Sequence, residues 1–318
     1  MSRRQTMLQQ VKAYLKHRQE LGYELQSAQV LLPLFAKFVD RSGRSGPLTT
    51  DLILRWVHLP KNATGSYKAN RLSIVRGFAR YLAARDGQTE VPDWRLLPKV
   101  FYRRPYSFSE RQIQQLLAAT GRLKPSYPLR PLTYRTLFGL LASTGLRINE
   151  ALKLTREHVD LERGILRIEK TKFKKSRLVP LHPTTTRALR RYATARDRQW
   201  GQDGKKPFFV GRSGLALPYG TVKGVFDDLC RKLGWRPGNG EQPRPRIHDL
   251  RHRFACRCLL RWCRRGENVH QLIAALSTYL GHGRVTDTYW YLNGTPELLA
   301  VAGDRFERFT RKMKGVRS

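Results

Sequence analysis

The stretch Ile165-Leu-Arg-Ile-Glu-Lys-Thr-Lys-Phe-Lys-Lys-Ser-Arg-Leu-Val-Pro-Leu181 holds two short runs of alternating apolar and polar residues around a basic turn. Ile165 to Ile168 and Arg177 to Leu181 have the period of two that a half-buried strand requires, and Lys170 to Ser176 joins them. Almost everything on either side follows the helical period instead. One hairpin in a helical chain makes the fold mainly α with a small antiparallel β-sheet, an α+β arrangement.

Before the hairpin, a helix is expected over about 131–143, ended by Thr144-Gly145, with another starting near Arg147. After it, helices are expected over about 184–199 and 219–232, then a Gly- and Pro-rich loop from Gly234 to Pro245. Helices resume near Asp249, with breaks at Gly266 and at Gly281 to Gly283. Upstream, Ser109 and Gln112 form a capping box before Ile113, Leu116 and Leu117.

The first hundred residues read as helices only. Leu8, Val11 and Leu15 share one face, and Val30, Leu31, Leu34, Phe35 and Phe38 another. Thr50-Asp51 can cap a short helix with Leu52, Ile53, Trp56 and Val57, and a fourth helix carries Leu72, Val75, Phe78 and Leu82. Four such helices can close around one core. Lys68, Arg71, Arg76 and Arg80 are expected on the outer faces. The Pro-rich, basic stretch from Pro92 to Pro105 reads as a linker region. The expected division is a helical unit over 1–102, a linker over 103–108 and a second unit over 109–318.

Charge narrows the function. The chain has 318 residues, with 61 Lys and Arg against 24 Asp and Glu, a net charge of +37. Such self-repulsion makes sense beside a polyanion, and nucleic acid is the usual one. The excess is +10 over residues 1–102 and +27 over the rest, so neither part is a simple basic tail. No apolar run is long enough for a membrane span. The start, Met-Ser-Arg-Arg-Gln, has no secretory pattern, so a cytoplasmic, nucleoid-associated protein with reduced Cys230, Cys256, Cys258 and Cys263 is expected. Their spacing is not that of a structural zinc site.

Breaking a phosphodiester without a metal needs a nucleophile, cations on the non-bridging oxygens and a proton for the leaving oxygen. The chain has no H-E-x-x-H, no carboxylate cluster and no Walker lysine motif. It does have Ser143-Thr-Gly-Leu-Arg-Ile-Asn-Glu-Ala-Leu152, where Arg147 follows a glycine break and Glu150 lies on the same helical face. In His248-Asp-Leu-Arg-His252, His248 and Arg251 share a face at a helix start, while His248 and His252 have the spacing of a metal pair lacking a third ligand. Leu280-Gly281-His282 precedes a helix expected to carry Thr288 and Tyr291, beside Tyr289 and Trp290. Taken alone, Tyr291 reads as an aromatic at a core edge.

Together these segments resemble the tyrosine recombinases, the phage-integrase family. The pattern is an arginine in T-G-L-R-x-x-E-L, a lysine in a β-turn, H-x-x-R, L-G-H, and a tyrosine nine residues past that last histidine. Here they fall on Arg147, Lys172, His248, Arg251, His282 and Tyr291, in order, with Glu150 at the acidic position of the first box. Lys170, Lys174 and Lys175 crowd the same turn. Lys172 is chosen because it stands five residues before Arg177.

The resemblance implies a four-helix, SAM-like core-binding domain followed by an integrase-like catalytic domain. It implies a reaction without metal or cofactor, on double-stranded DNA with a specific core site. Tyr291 would be the nucleophile, Arg147 and Arg251 the phosphate clamp, Lys172 the general acid, with His248 and His282 assisting and Glu150 in support. It further implies a tetramer on two duplexes, with accessory recombinases as further partners. A helical stretch over about 296–312, with Leu298, Leu299, Val301, Phe306 and Phe309, would dock either on its own chain or on the next subunit. Two rivals share parts of this pattern: a type IB topoisomerase relaxing DNA as a monomer, and a DNA-binding protein with a decayed site.

Overall fold

The computed structural model describes residues 6–43, 46–98, 104–124, 126–169, 176–235 and 243–292, together with residues 300, 303, 304 and 307. The chain divides into two compact units, Met1–Tyr102 and Arg103–Ser318.

The first unit has α1 (Met7–Glu20), α2 (Gln26–Arg41), α3 (Thr50–His58) and α4 (Gly65–Asp86). Each of Thr6, Thr49 and Thr64 caps a helix by accepting the backbone N–H of the residue three positions on. The cap of α3 is thus Thr49, one residue before the expected Thr50, which leaves Asp51 in the first turn facing the positive end of the helix dipole.

The four helices close on Val11, Leu32, Phe35, Ile53, Trp56, Val75 and Phe78. Phe35 meets Trp56 edge to face, 5.2 Å between centroids. Two expectations change here. On α2, Val30 and Leu34 are exposed, and Ala28, Leu31, Leu32, Phe35, Ala36 and Val39 face the core. The buried stripe includes the small Ala28 and Ala36, on a helix that packs against both α1 and α4. Arg71 is not on the outer face but buried, its guanidinium 3.5 Å from the centroid of the Trp56 ring and donating to the Trp56 carbonyl. The flat, weakly hydrated guanidinium suits that stacked position.

The second unit begins with α5 (Glu110–Thr120), α6 (Arg130–Thr144) and the short α7 (Ile148–Leu152). Strands β1 (Val159–Asp160), β2 (Ile165–Ile168) and β3 (Arg177–Pro180) follow, then α8 (Pro183–Trp200), α9 (Tyr219–Lys232), α10 (Ile247–Arg265), α11 (Val269–Leu280) and α12 (Thr286–Tyr289). The sheet is antiparallel in the order β1-β2-β3, with Leu166 opposite Val179 and Ile168 opposite Arg177. Leu166, Ile168 and Val179 point inward and Leu178 points out. Period two therefore puts Arg177 on the same face as Val179.

The capping box of Ser109 and Gln112 forms as the sequence implies. The main core joins Phe108, Phe138 and Phe226 with Tyr192, Phe208 and Phe209. A smaller cluster under α10 and α11 gathers Ala255, Leu259, Leu276, Leu280 and Tyr291. Among the described residues the chain is mainly helical with one small antiparallel sheet, and the elements that carry the chemistry-bearing motifs lie in the second unit.

Replacing Phe35 by Ala should cost about 3–5 kcal/mol, the usual loss for a fully buried aromatic. Urea unfolding of the whole chain, followed by tryptophan fluorescence, should show the unfolding of the first unit moved to lower urea. An unchanged profile would show that this ring does not hold the first core together.

Candidate active site

Three arginines from three different elements converge on one helix end. The C-terminus of α11 leaves its last carbonyls without intrahelical partners and carries the negative end of the helix dipole. Arg177 Nε on β3 donates to the Tyr279 carbonyl at 2.8 Å, Arg251 Nη2 on α10 to the Leu280 carbonyl at 2.9 Å, and Arg147 Nη2 to the Gly281 carbonyl at 3.0 Å. A second contact ties Arg251 to the first motif, since its Nη1 donates to the Gly145 carbonyl at 2.9 Å.

Both glycines in these contacts are needed. Gly145 ends α6 with φ +64°, and Gly281 ends α11 with φ +69°. A Cβ on Gly145 would stand 2.5 Å from Phe254 Cδ1, and one on Gly281 would stand 2.5 Å from Arg177 Nη1.

Glu150 anchors the cluster electrostatically. Its Oε1 accepts from Arg147 Nη1 at 2.8 Å and Arg177 Nη1 at 3.1 Å, and its Oε2 accepts from the Arg147 backbone N–H at 3.0 Å and Arg177 Nη2 at 2.8 Å. Burial alone would raise the Glu150 pKa, but the hydrogen bonds and charge of Arg177 and the hydrogen bonds of Arg147 outweigh it and hold the carboxyl below its ordinary value. The Arg147 side chain remains one-third exposed, 33 %, and it is this arginine that meets solvent, since Arg251 is 2 % exposed.

Tyr291 follows α12 in a turn rather than on the helix, because α12 ends at Tyr289. It is 4 % exposed, whereas Tyr289 is 40 % exposed, so the two neighbours do face different surroundings. The Tyr291 ring lies against His282, 5.9 Å between centroids and 16° from parallel, and against His252 at 5.3 Å. Tyr291 and Glu150 favour the charge on Arg251, which burial and then nearby Arg147 oppose.

His282 Nδ1 is 2.7 Å from the hydroxyl of the buried Thr288. With the Thr288 hydroxyl donating its hydrogen bond to Nδ1, the neutral ring carries its proton on Nε2, ready to donate. Burial first, and then Arg251 and Arg147, push the His282 pKa down to about 4, so the ring is neutral near pH 7. His248 stands at the start of α10, where desolvation first and then Arg251 lower its pKa.

Lys172, with its alternatives Lys170, Lys174 and Lys175, lies outside the described residues, as do Leu298, Leu299, Val301, Phe306 and Phe309. Among the described residues no three His, Cys, Asp or Glu side chains meet as a metal site requires, and no helix is long and apolar enough to cross a membrane. The cysteines form no disulfide.

A model of the phage integrase family matches residues 107–297, the stretch that carries all of these motifs. The chain belongs to the phage integrase family. The y4rB protein of Sinorhizobium fredii, named as an integrase/recombinase, is 41 % identical over 308 residues, covering 95 % of this chain and 98 % of that one. The tyrosine recombinase XerC of Azotobacter vinelandii is 29 % identical over 81 % of this chain and 79 % of its own. Among solved structures, the Tn1549 transposon integrase in complex with transposon right end DNA superposes with a TM-score of 0.70 at 16 % identity, covering 96 % of this chain and 100 % of that one. XerH recombinase bound to palindromic difH substrate gives 0.63 at 19 % identity, over 87 % of this chain and 78 % of that one.

In this integrase-family chain the described motif residues do meet. Arg147, Glu150, Arg251, His282 and Tyr291 come together around the end of α11, with His248 close enough for Arg251 and Arg147 to act on its charge. Three described residues at the site lie outside the family pattern: Arg177, the buried Thr288, and His252, which the sequence offered only as half of a metal pair. The last is 3 % exposed between Trp290 and Tyr291, with Nε2 3.4 Å from Cys256 Sγ. Arg177 has a faint sequence signal, because strand alternation puts it on the face of Val179.

The pH response of stability follows from these groups. The ordinary histidine value of 6.5 falls to about 4 in His252 and His282, so between these values the unfolded chain binds more protons than the folded one. Stability should be full above about 6.5 and decline as pH falls toward about 4, and the lowered Glu150 adds loss in the same direction. Urea midpoints of the second unit measured across that window should drop on acidification. A midpoint that rises would contradict the buried, neutral histidines.

Proposed function

We propose that this chain is a site-specific DNA recombinase that cleaves and rejoins strands through Tyr291. The observation that carries the reading is the meeting of Arg147 and Arg251 on the end of α11, beside the Tyr291 and His282 rings.

The chemistry follows from the groups present. The phenol oxygen of Tyr291 attacks the scissile phosphorus. As the O–P bond to tyrosine forms, the bond from phosphorus to the 5′ oxygen breaks, leaving a 3′-phosphotyrosine and a 5′-hydroxyl. The phenol must lose a proton and the 5′ oxygen must gain one. His248 helps take the first, and Lys172, by the family pattern, supplies the second. Arg147 and Arg251 hold the non-bridging oxygens, where negative charge grows. Each commits N–H groups to fixed carbonyls, so each is oriented before a phosphate arrives, and a guanidinium has five N–H donors to share. His282 donates from Nε2. The covalent link keeps the phosphoester bond energy, so rejoining to a second 5′-hydroxyl needs no added energy source.

The net charge of +37, spread over both units, suits a duplex held largely through its phosphates. Strand exchange between two duplexes places the chain in a tetramer, with accessory recombinases as further partners. The element served is one that integrates, excises or transposes. The first unit is assigned to core-site binding and the second to catalysis.

The test starts from a pool of nicked duplexes of randomised sequence. The nick lets the freed end diffuse away and traps the covalent product, which also reports the preferred core sequence. The wild type should yield a denaturation-resistant adduct. Tyr291→Phe should yield none while still retaining DNA. Arg147→Ala and Arg251→Ala should each slow adduct formation by roughly 2.7–4 kcal/mol of transition-state stabilisation, the scale of losing one oxyanion donor. An adduct from Tyr291→Phe, or unchanged rates in both arginine variants, would sink these assignments. Supercoil relaxation with no sequence preference would favour a topoisomerase.

A further inference from the structure

Arg177 has no part in the reaction just described, yet it is held as firmly as either phosphate-binding arginine. Its side chain is 10 % exposed. Nη1 and Nη2 face the Glu150 carboxylate end-on at 3.1 and 2.8 Å, and Nε is fixed on the Tyr279 carbonyl at 2.8 Å. The absence of a side chain at Gly281 makes room for it, since a Cβ there would lie 2.8 Å from its Cζ.

Glu150 is therefore shared unequally. Arg177 meets both oxygens in the fork-to-fork geometry that gives the strongest guanidinium–carboxylate pairing. The Arg147 side chain meets only Oε1, at 2.8 Å, and its other nitrogen goes to the Gly281 carbonyl. A carboxylate already engaged end-on by one guanidinium offers less charge and fewer lone pairs to a second. With Arg177 gone, Glu150 would be a full counter-charge for Arg147, and Oε2, then holding only the Arg147 backbone N–H, would have a lone pair to spare for its guanidinium. Arg147 would then have less charge and fewer N–H donors for an incoming anion. The same loss would untie β3 from the carbonyl next to those that orient Arg251 and Arg147.

We propose that Arg177 is a positioning residue of the strand-cleavage site: by engaging Glu150 end-on beside Gly281, it keeps the charge and direction of Arg147 available for the scissile phosphate. This rests on the cleavage reading above. Arg177 touches no reacting atom and acts through Glu150 and Arg147.

The test compares two forms of the nicked duplex recovered from the pool. One keeps the scissile phosphodiester. In the other a methyl group replaces one non-bridging oxygen, giving a neutral methylphosphonate. A residue that acts by presenting positive charge to the phosphate matters on the first and little on the second, whereas a residue that only supports the fold matters equally on both. Single-turnover adduct formation by Arg177→Ala should fall about 100-fold on the phosphodiester and less than about threefold on the methylphosphonate, the first figure being the scale of one preorganised donor. Arg177→Lys keeps a cation beside Glu150 but loses the fork, and should fall about tenfold on the phosphodiester. It keeps the experiment decisive should the alanine variant fold poorly. Combining Arg177→Ala with Tyr291→Phe should leave DNA retention equal to that of Tyr291→Phe alone.

Equal losses on the two substrates, or no loss on the phosphodiester, would overturn the inference while leaving the cleavage reading intact. If the wild type formed no adduct on either substrate, both would fall together.

Discussion

Three guanidinium groups stacked on the last carbonyls of one helix are the constraint from which the rest of the second unit follows. Like charges brought this close repel, by on the order of a few kcal/mol per pair near a protein surface. Two features offset that repulsion. The C-terminus of α11 presents carbonyls at Tyr279, Leu280 and Gly281, one for each arginine, at the negative end of the helix dipole. Glu150 adds a full negative charge held under two of the three. What survives is a net positive site whose cations cannot swing away. That state of preorganisation is what stabilising a growing phosphate charge requires.

The rest of the architecture serves this junction. The turn after α6 brings the Gly145 carbonyl to Arg251 and sets Arg147 at the start of α7. The hairpin delivers Arg177, and α10 delivers Arg251 and His248. The chain then leaves α11 through a left-handed glycine, and His282 and Tyr291 return across it as stacked rings. Changing either glycine would press a Cβ into Phe254 or Arg177, so backbone conformation and electrostatics are the same requirement here.

Much of this was legible in the sequence, for physical reasons. Strand and helix periods are local, so the hairpin over 165–181, the Ser109 cap and the glycine ends of α6 and α11 follow from nearby residues. The motif residues announced themselves by type and spacing. What the sequence hid depends on what packs opposite. The inward face of α2 is set by its neighbours and includes Ala28 and Ala36, so Val30 and Leu34 point out. Arg71 looks like a surface charge until Trp56 is found beneath it. Arg177 looks like an ordinary strand residue, because its partners are 27 and 102 positions away. The end of α12 before Tyr291 turns on a single residue, beyond the resolution of periodicity.

On the proposed reading one aromatic hydroxyl, held beside a pair of oriented arginines, takes the phosphate. The most direct measurement of that step is peptide mapping of the trapped protein–DNA adduct by mass spectrometry after nuclease and protease digestion. The nucleotide remnant should sit on Tyr291, with the exposed neighbour Tyr289 unmodified. A remnant on Tyr289, or on any serine, would contradict it.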